Sequence, residues 1–347
     1  MWHRWDVAGT SIERPGTSVG INFADSAFEN TIMATLAQVE QLLRETVHSA
    51  DPLVTAAARH LVDAGGKRFR PLLVALAAQF GDGGGPSVVQ AAGVVELTHL
   101  ATLYHDDVMD EAPVRRGAES ANARWGNSIA ILTGDYLFAC AAELAAELGP
   151  DAVRIQARTF SRLVHGQIAE TSGPRDGEHA IAHHLRVVSE KTGSLIATSA
   201  RFGATFGGAT GEQVEALAGY GETIGIAFQL SDDLLDISSD ADQSGKMPGI
   251  DLREGVWTLP ILYALDSDGS DAAMVRLREI LAAGPVTDDA VHAEALGLLR
   301  ESVALKRARE TVRTFTDRAR ASLSVLPDRP ARQALESLCD FIADRTG

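Results

Sequence analysis

The feature that leaves this chain the fewest folds is a helical hydrophobic period running almost unbroken from about Phe28 to the C-terminus. TIMATLAQVEQLLRETV places Ile32, Leu36, Val39, Leu42 and Leu43 on one face, at steps of three and four. Comparable periods cover 71–80, 86–110, 128–148, 151–171, 181–205 and 211–238, then 259–266, 272–283, 288–326 and 331–343. Gly and Pro punctuate them at GDGGGP (81–86), SGPRDG (172–177) and QSGKMPG (243–249). Alternating strand runs with hairpin turns, tandem repeats and clear linkers are not visible. The expectation is an all-α fold, a single bundle of about 10–13 helices around a deep central cavity. It spans 26–347, behind a flexible tail over 1–25.

Charge narrows the partners. With a formal net charge of −16 and no basic stripe, the chain offers nucleic acid none of the counterion-releasing contacts it needs. An anionic ligand must be held by a few local cations or by metal ions. Cys140 and Cys339 have no CxxC spacing and read as buried small hydrophobes in a reducing compartment. The apolar run at 128–149 carries Asp135, Glu143 and Glu147, so it reads as a core helix rather than a membrane span. The first twenty residues lack the apolar core of a signal peptide, and a cytoplasmic location is expected.

Within this apolar pattern, LYHDDVMDEAPVRRG (103–117) collects Asp106, Asp107 and Asp110 on a helix that begins at Pro86 and cannot run far past Pro113. Asp106 and Asp110 are four apart and share a face, an unfavourable choice for two anions unless a cation lies between them. FQLSDDLLD (228–236) repeats the device 126 positions later with Asp232, Asp233 and Asp236, and Gln229 shares their face. One DDxxD is a weak signal, since solvated acidic helix ends are common. Two of identical spacing inside apolar helices point to hard oxygen ligands for Mg²⁺, which completes its shell with water and substrate phosphate. Phosphate would be met by Lys67, Arg68 and Arg70 in DAGGKRFRP (63–71) and by Arg115 and Arg116.

The order GGKRFRP, ELTHLATLYHDDVMDEAPVRRG, EKTGSL (190–195), FQLSDDLLD, GKMPGIDL (245–252) and TLP (258–260) resembles the trans-prenyl diphosphate synthases, the polyprenyl synthetase family. The resemblance implies the isoprenoid synthase fold. It also implies an enzyme that condenses isopentenyl diphosphate with an allylic diphosphate, using three Mg²⁺ ions per site. Asp106, Asp110, Asp232 and Asp236 would be the metal ligands, with Asp107 and Asp233 behind them. Lys67, Arg70, His99 and Arg116 would hold isopentenyl diphosphate. Arg115, Lys191, Thr192, Gln229 and Lys246 would surround the allylic head group. Catalysis would fall to Asp106, Asp110, Arg115, Lys191, Gln229 and Lys246.

In this family the residues four and five positions before the first motif floor the product pocket. Here they are Thr102 and Ala101, both small, which implies a long-chain product grown from farnesyl or geranylgeranyl diphosphate. A simple helical wheel puts Ala101 well off the Asp106 face, so its place on the pocket wall comes from the family alone. The chain departs from the family at GVWTLP (255–260), where Val256 replaces a lysine, with Lys246 or Arg253 as substitute cations. A homodimer and transient membrane contact at product release are expected by resemblance. The alternatives are a short-chain synthase, a non-catalytic partner subunit of a heteromeric synthase, and a class I terpene cyclase. GGKRFRP and the second full DDxxD argue against the cyclase.

Overall fold

The computed structural model describes residues 21, 23, 25–238, 248–268 and 271–345. Among them sixteen α-helices carry almost all the regular structure. The first half consists of α1 (Ser26–Thr46), α2 (Pro52–Asp63), α3 (Phe69–Ala78), α4 (Pro86–Met109), α5 (Ala121–Trp125), α6 (Asn127–Leu148) and α7 (Pro150–Ser172). Then come α8 (Ala180–Val188), α9 (Ser194–Phe206), α10 (Gly211–Ser238), α11 (Ile250–Glu254) and α12 (Leu259–Leu265). The chain closes with α13 (Ala272–Ala282), α14 (Asp289–Glu301), α15 (Val303–Ser322) and α16 (Pro330–Asp344).

Local chemistry sets the ends. Asp25 and Asp51 accept backbone N–H bonds at the starts of α1 and α2, and prolines open α2, α4, α7 and α16. All ten residues of α3 are buried, which its lack of any polar stripe other than Arg70 requires. Together α3 and α9 form the inner wall. Leu72, Leu73 and Leu76 of α3 face one apolar cluster with α10, α12 and the C-terminal helices. Val74 and Ala78 face a second cluster built by α2, α4 and α6. The two acidic helices therefore stand on opposite sides of that wall.

The structure departs from the sequence pattern in four places. The 181–205 period is not one helix: a π-helical turn, Ser189–Gly193, joins α8 to α9. The 288–326 period is broken at Ser302, whose hydroxyl accepts from the Leu305 N–H at 3.1 Å and caps α15. A two-residue hairpin, Val114–Arg115 with Ala118–Glu119, appears where no strand was expected. Ile21 and Phe23 pack on the apolar core, so ordered packing begins before Asp25; the rest of the 1–24 segment lies outside the described residues. Breaks and short helices raise the count above the expected 10–13.

Candidate active site

Asp106, Asp107 and Asp110 close α4, at the negative end of its helix dipole. That position is unfavourable for carboxylates and favourable for a cation placed among them. Asp106 is 4% exposed, whereas Asp110 caps α4 at the surface and donates its backbone N–H to the Asp106 carbonyl at 2.8 Å. Burial pushes the Asp106 carboxyl up to about 7, Asp110 adds to the rise, and Lys191 and Arg115 pull against it. Its Oδ2 is buried with no hydrogen-bond partner among the described residues, a costly state for a carboxylate oxygen.

Asp107 is fully buried and forms a tight ion pair with Arg115, whose Nε donates to its Oδ1 at 2.7 Å. The hairpin aims this arginine inward. Its turn holds Arg116 at φ 54° and Gly117 at φ 72°, which points the two neighbouring guanidiniums to different partners. Arg116 donates to the Leu61 carbonyl at 3.0 Å and lies across Gly66, where a Cβ would come within 2.9 Å of its guanidinium carbon. Gly66 also holds φ 127°, a backbone conformation that favours glycine. The three non-glycine residues with positive φ among those described are Arg68, Glu111 and Arg116, all bordering this region.

Lys67, Arg70, His99 and Arg116 line one small cleft together with Gly66 and Glu96. Burial drives the His99 imidazole well below its usual value, and Arg70, Arg116, Arg115 and Arg68 push the same way, so it is neutral near pH 7. Arg70, buried at 2% exposure, is lowered to about 10 by burial and stays charged. Arg68 has a different task. Its guanidinium is engaged by Glu40 and, at 2.9 Å, by Glu96, which anchors the loop to α1 and α4. Of the three cations in this loop, Arg68 is structural.

The π-helical turn packs between α7 and α10. Lys191 is ion-paired with Glu170 of α7, and its positive charge lowers the Asp106 pKa. Thr192 donates to Gln229 Oε1 at 3.2 Å, and Gln229 Nε2 donates to Asp233 Oδ1 at 3.2 Å. His184 Nε2 stands 3.5 Å from the other Asp233 oxygen. Arg162 clamps the turn by bonding Glu190 at 3.0 Å and Glu222 at 2.7 Å, and Ser189 also donates to Glu222 at 2.8 Å. Arg162, Glu170 and His184 were not singled out from the sequence.

On α10, Asp232 is 9% exposed and paired with Arg345 from the C-terminus. The Asp236 carboxylate accepts the Ile250 and Asp251 N–H groups at 3.3 and 3.2 Å, so it caps α11. Arg253 does not substitute for the missing lysine: it turns away to the Thr287 carbonyl at 3.1 Å and Asp289 at 2.7 Å. Lys246 lies outside the described residues. Ala101 is wholly buried where α4 meets α6, its carbonyl 3.1 Å from where a Cβ on Gly134 would stand. Thr102 is half-buried and donates to the His99 carbonyl at 2.7 Å.

The donor set is all oxygen, and among the described residues no three acidic, histidine or cysteine side chains converge to hold a metal unaided. That suits a hard cation which completes its shell with ligand oxygens, and the orphaned Asp106 oxygen fits the same need.

A family described as polyprenyl synthetase matches residues 51–298. A nonaprenyl diphosphate synthase from Mycobacterium tuberculosis is 52% identical over 335 residues, covering 96% of this chain and 99% of the relative. A geranylgeranyl pyrophosphate synthase from Corynebacterium glutamicum, solved with calcium and isoprenyl diphosphate, superposes with a TM-score of 0.86. It is 44% identical, and the match covers 94% of this chain and 100% of that one. A decaprenyl diphosphate synthase from Rhodobacter capsulatus superposes at 0.83 with 35% identity, covering 92% and 99%.

Proposed function

The chain belongs to the polyprenyl synthetase family, and from that premise we propose that it is a long-chain trans-prenyl diphosphate synthase. It condenses isopentenyl diphosphate with farnesyl or geranylgeranyl diphosphate. The observation that carries the reading is the pairing of a cationic cleft, formed by Lys67, Arg70, His99 and Arg116, with two acidic motifs and the Lys191 charge that acts on Asp106. One diphosphate is held by guanidiniums and lysine, the other mainly through metal ions.

Asp106, Asp110 and Asp232 would hold divalent cations, assigned as Mg²⁺ in a set of three. When bound, those ions neutralise the diphosphate charge that builds as the allylic C–O bond breaks. Asp236, occupied with α11, takes the smaller share. Lys191, whose charge acts on Asp106, stabilises the leaving oxygens. Arg115, locked to Asp107, acts through that pair by adding positive potential beside Asp106. Gln229, fixed by Thr192 and Asp233, presents an oriented amide to the allylic group. The isopentenyl double bond then attacks the allylic carbon, and a proton is lost to the departed diphosphate.

Long product is favoured by small Ala101 and Thr102 and by the nonaprenyl and decaprenyl relatives. We assign a homodimer. Helix α6 is the one described helix long and apolar enough to cross a membrane, yet it packs along α4, and its outer face leaves Ile131 and Leu132 42% and 62% exposed. Coverage of that apolar face by a second copy is the reading for a cytoplasmic protein, with membrane contact limited to product release. The purified chain alone, given farnesyl diphosphate, labelled isopentenyl diphosphate and Mg²⁺, is expected to make elongated product. Failure of the lone chain would support the accessory-subunit reading. Diphosphate release without isopentenyl diphosphate would support a cyclase.

A further inference from the structure

The second acidic motif has a partner that its own segment does not supply. Arg345, the residue that follows α16, is 113 positions from Asp232, and its Nη2 pairs with Asp232 Oδ1. Its Nε donates to Ser231 Oγ at 2.6 Å. The guanidinium lies 4.5 Å from the Phe228 ring centroid and 5.7 Å from that of Phe341, and only 14% of the side chain is exposed. Phe228, Ser231 and Asp232 are one stripe of α10, so the arginine is seated against the motif by stacking, a neutral hydrogen bond and an ion pair together. Tyr220 holds the same two helices together farther along, donating to the Leu335 carbonyl at 2.8 Å.

We propose that Arg345 is an internal counter-ion of the metal site, which occupies Asp232 in the metal-free protein and is displaced when divalent cation and diphosphate bind. The inference rests on Asp232 being a metal ligand. The guanidinium already neutralises the Asp232 charge that a divalent cation would use, and two cations so close repel. Loading of the site and docking of the last turn of α16 are therefore antagonistic. Tyr220 still ties the two helices together through the Leu335 carbonyl when the ion pair is lost, so the release is confined to the end of the helix.

Mn²⁺ binding in the presence of inorganic diphosphate, read from the free-ion electron spin resonance signal, tests this without turnover. Arg345→Gln is expected to bind Mn²⁺ roughly ten-fold more tightly than wild type, the scale of one charge-assisted hydrogen bond. Arg345→Lys should fall between the two. In Asp232→Asn, Mn²⁺ binding should weaken, and adding Arg345→Gln should change nothing further. In the unmodified chain, Mn²⁺ with diphosphate should speed amide hydrogen exchange at 341–345 while Tyr220 and its neighbours stay protected. Unchanged or weaker Mn²⁺ binding in Arg345→Gln, or slower exchange at 341–345 on loading, overturns the proposal and leaves the metal role of Asp232 standing. Undiminished binding in Asp232→Asn overturns both.

Discussion

At the scale of single residues, the site separates groups that act on ligands from groups that hold those in place. His99 lies among four arginines and is buried, so protonation is opposed by desolvation and by like charge. Its imidazole C2 proton resonance should not titrate between pH 7.5 and 6, about the range where free histidine does. Because the folded value is depressed, the unfolded chain binds the extra proton first. Stability from this residue is full above the unfolded value and is lost as pH falls below it. Asp107 and Arg115 make the opposite case of a buried pair. Asp107→Ala takes the carboxylate from a buried guanidinium and should destabilise the chain by about 3–5 kcal/mol in denaturant unfolding. Asp106→Ala, which removes an orphaned buried oxygen, should cost little stability while abolishing Mn²⁺ binding.

At the scale of elements, the working parts are short irregular pieces set between long helices. The π-helical turn is the clearest, since one turn carries Lys191, held by Glu170 of α7, and Thr192, bonded to Gln229 of α10. Arg162 fastens it to α10 through Glu222. Arg162→Ala should lower kcat roughly ten-fold or more with little change in the KM for isopentenyl diphosphate, because the isopentenyl cleft is built by other elements. The α4–α6 contact sets a second expectation. Ala101→Phe should shorten the product and, in so closely packed a contact, cost about 1–3 kcal/mol of stability. Unchanged product length in a folded variant would remove Ala101 from the pocket wall.

At the scale of the whole molecule, the sequence pattern reached the architecture through periodicity. The helix that opens at Gly211 and runs through Ser238 was legible from that Gly and from its apolar stripe. The two DDxxD motifs and GGKRFRP were legible because each is a local pattern with its own charge logic. The Arg345–Asp232 pair, the Glu40 and Glu96 anchors of Arg68, and the Arg162 clamp were not, since partners 28 to 113 positions apart leave no local signature. The π turn hid inside an unbroken apolar period, and the break at Ser302 was carried by one capping hydroxyl. What the fold adds is the seating of two opposed charge sets on a common inner wall. That account stands on what the lone chain makes. Chromatography of the dephosphorylated product from farnesyl diphosphate, isopentenyl diphosphate and Mg²⁺ should give a single all-trans polyprenol of about thirty carbons or more, each unit adding buried apolar surface. A product that stops at farnesol or geranylgeraniol length, or no condensation at all, would contradict it.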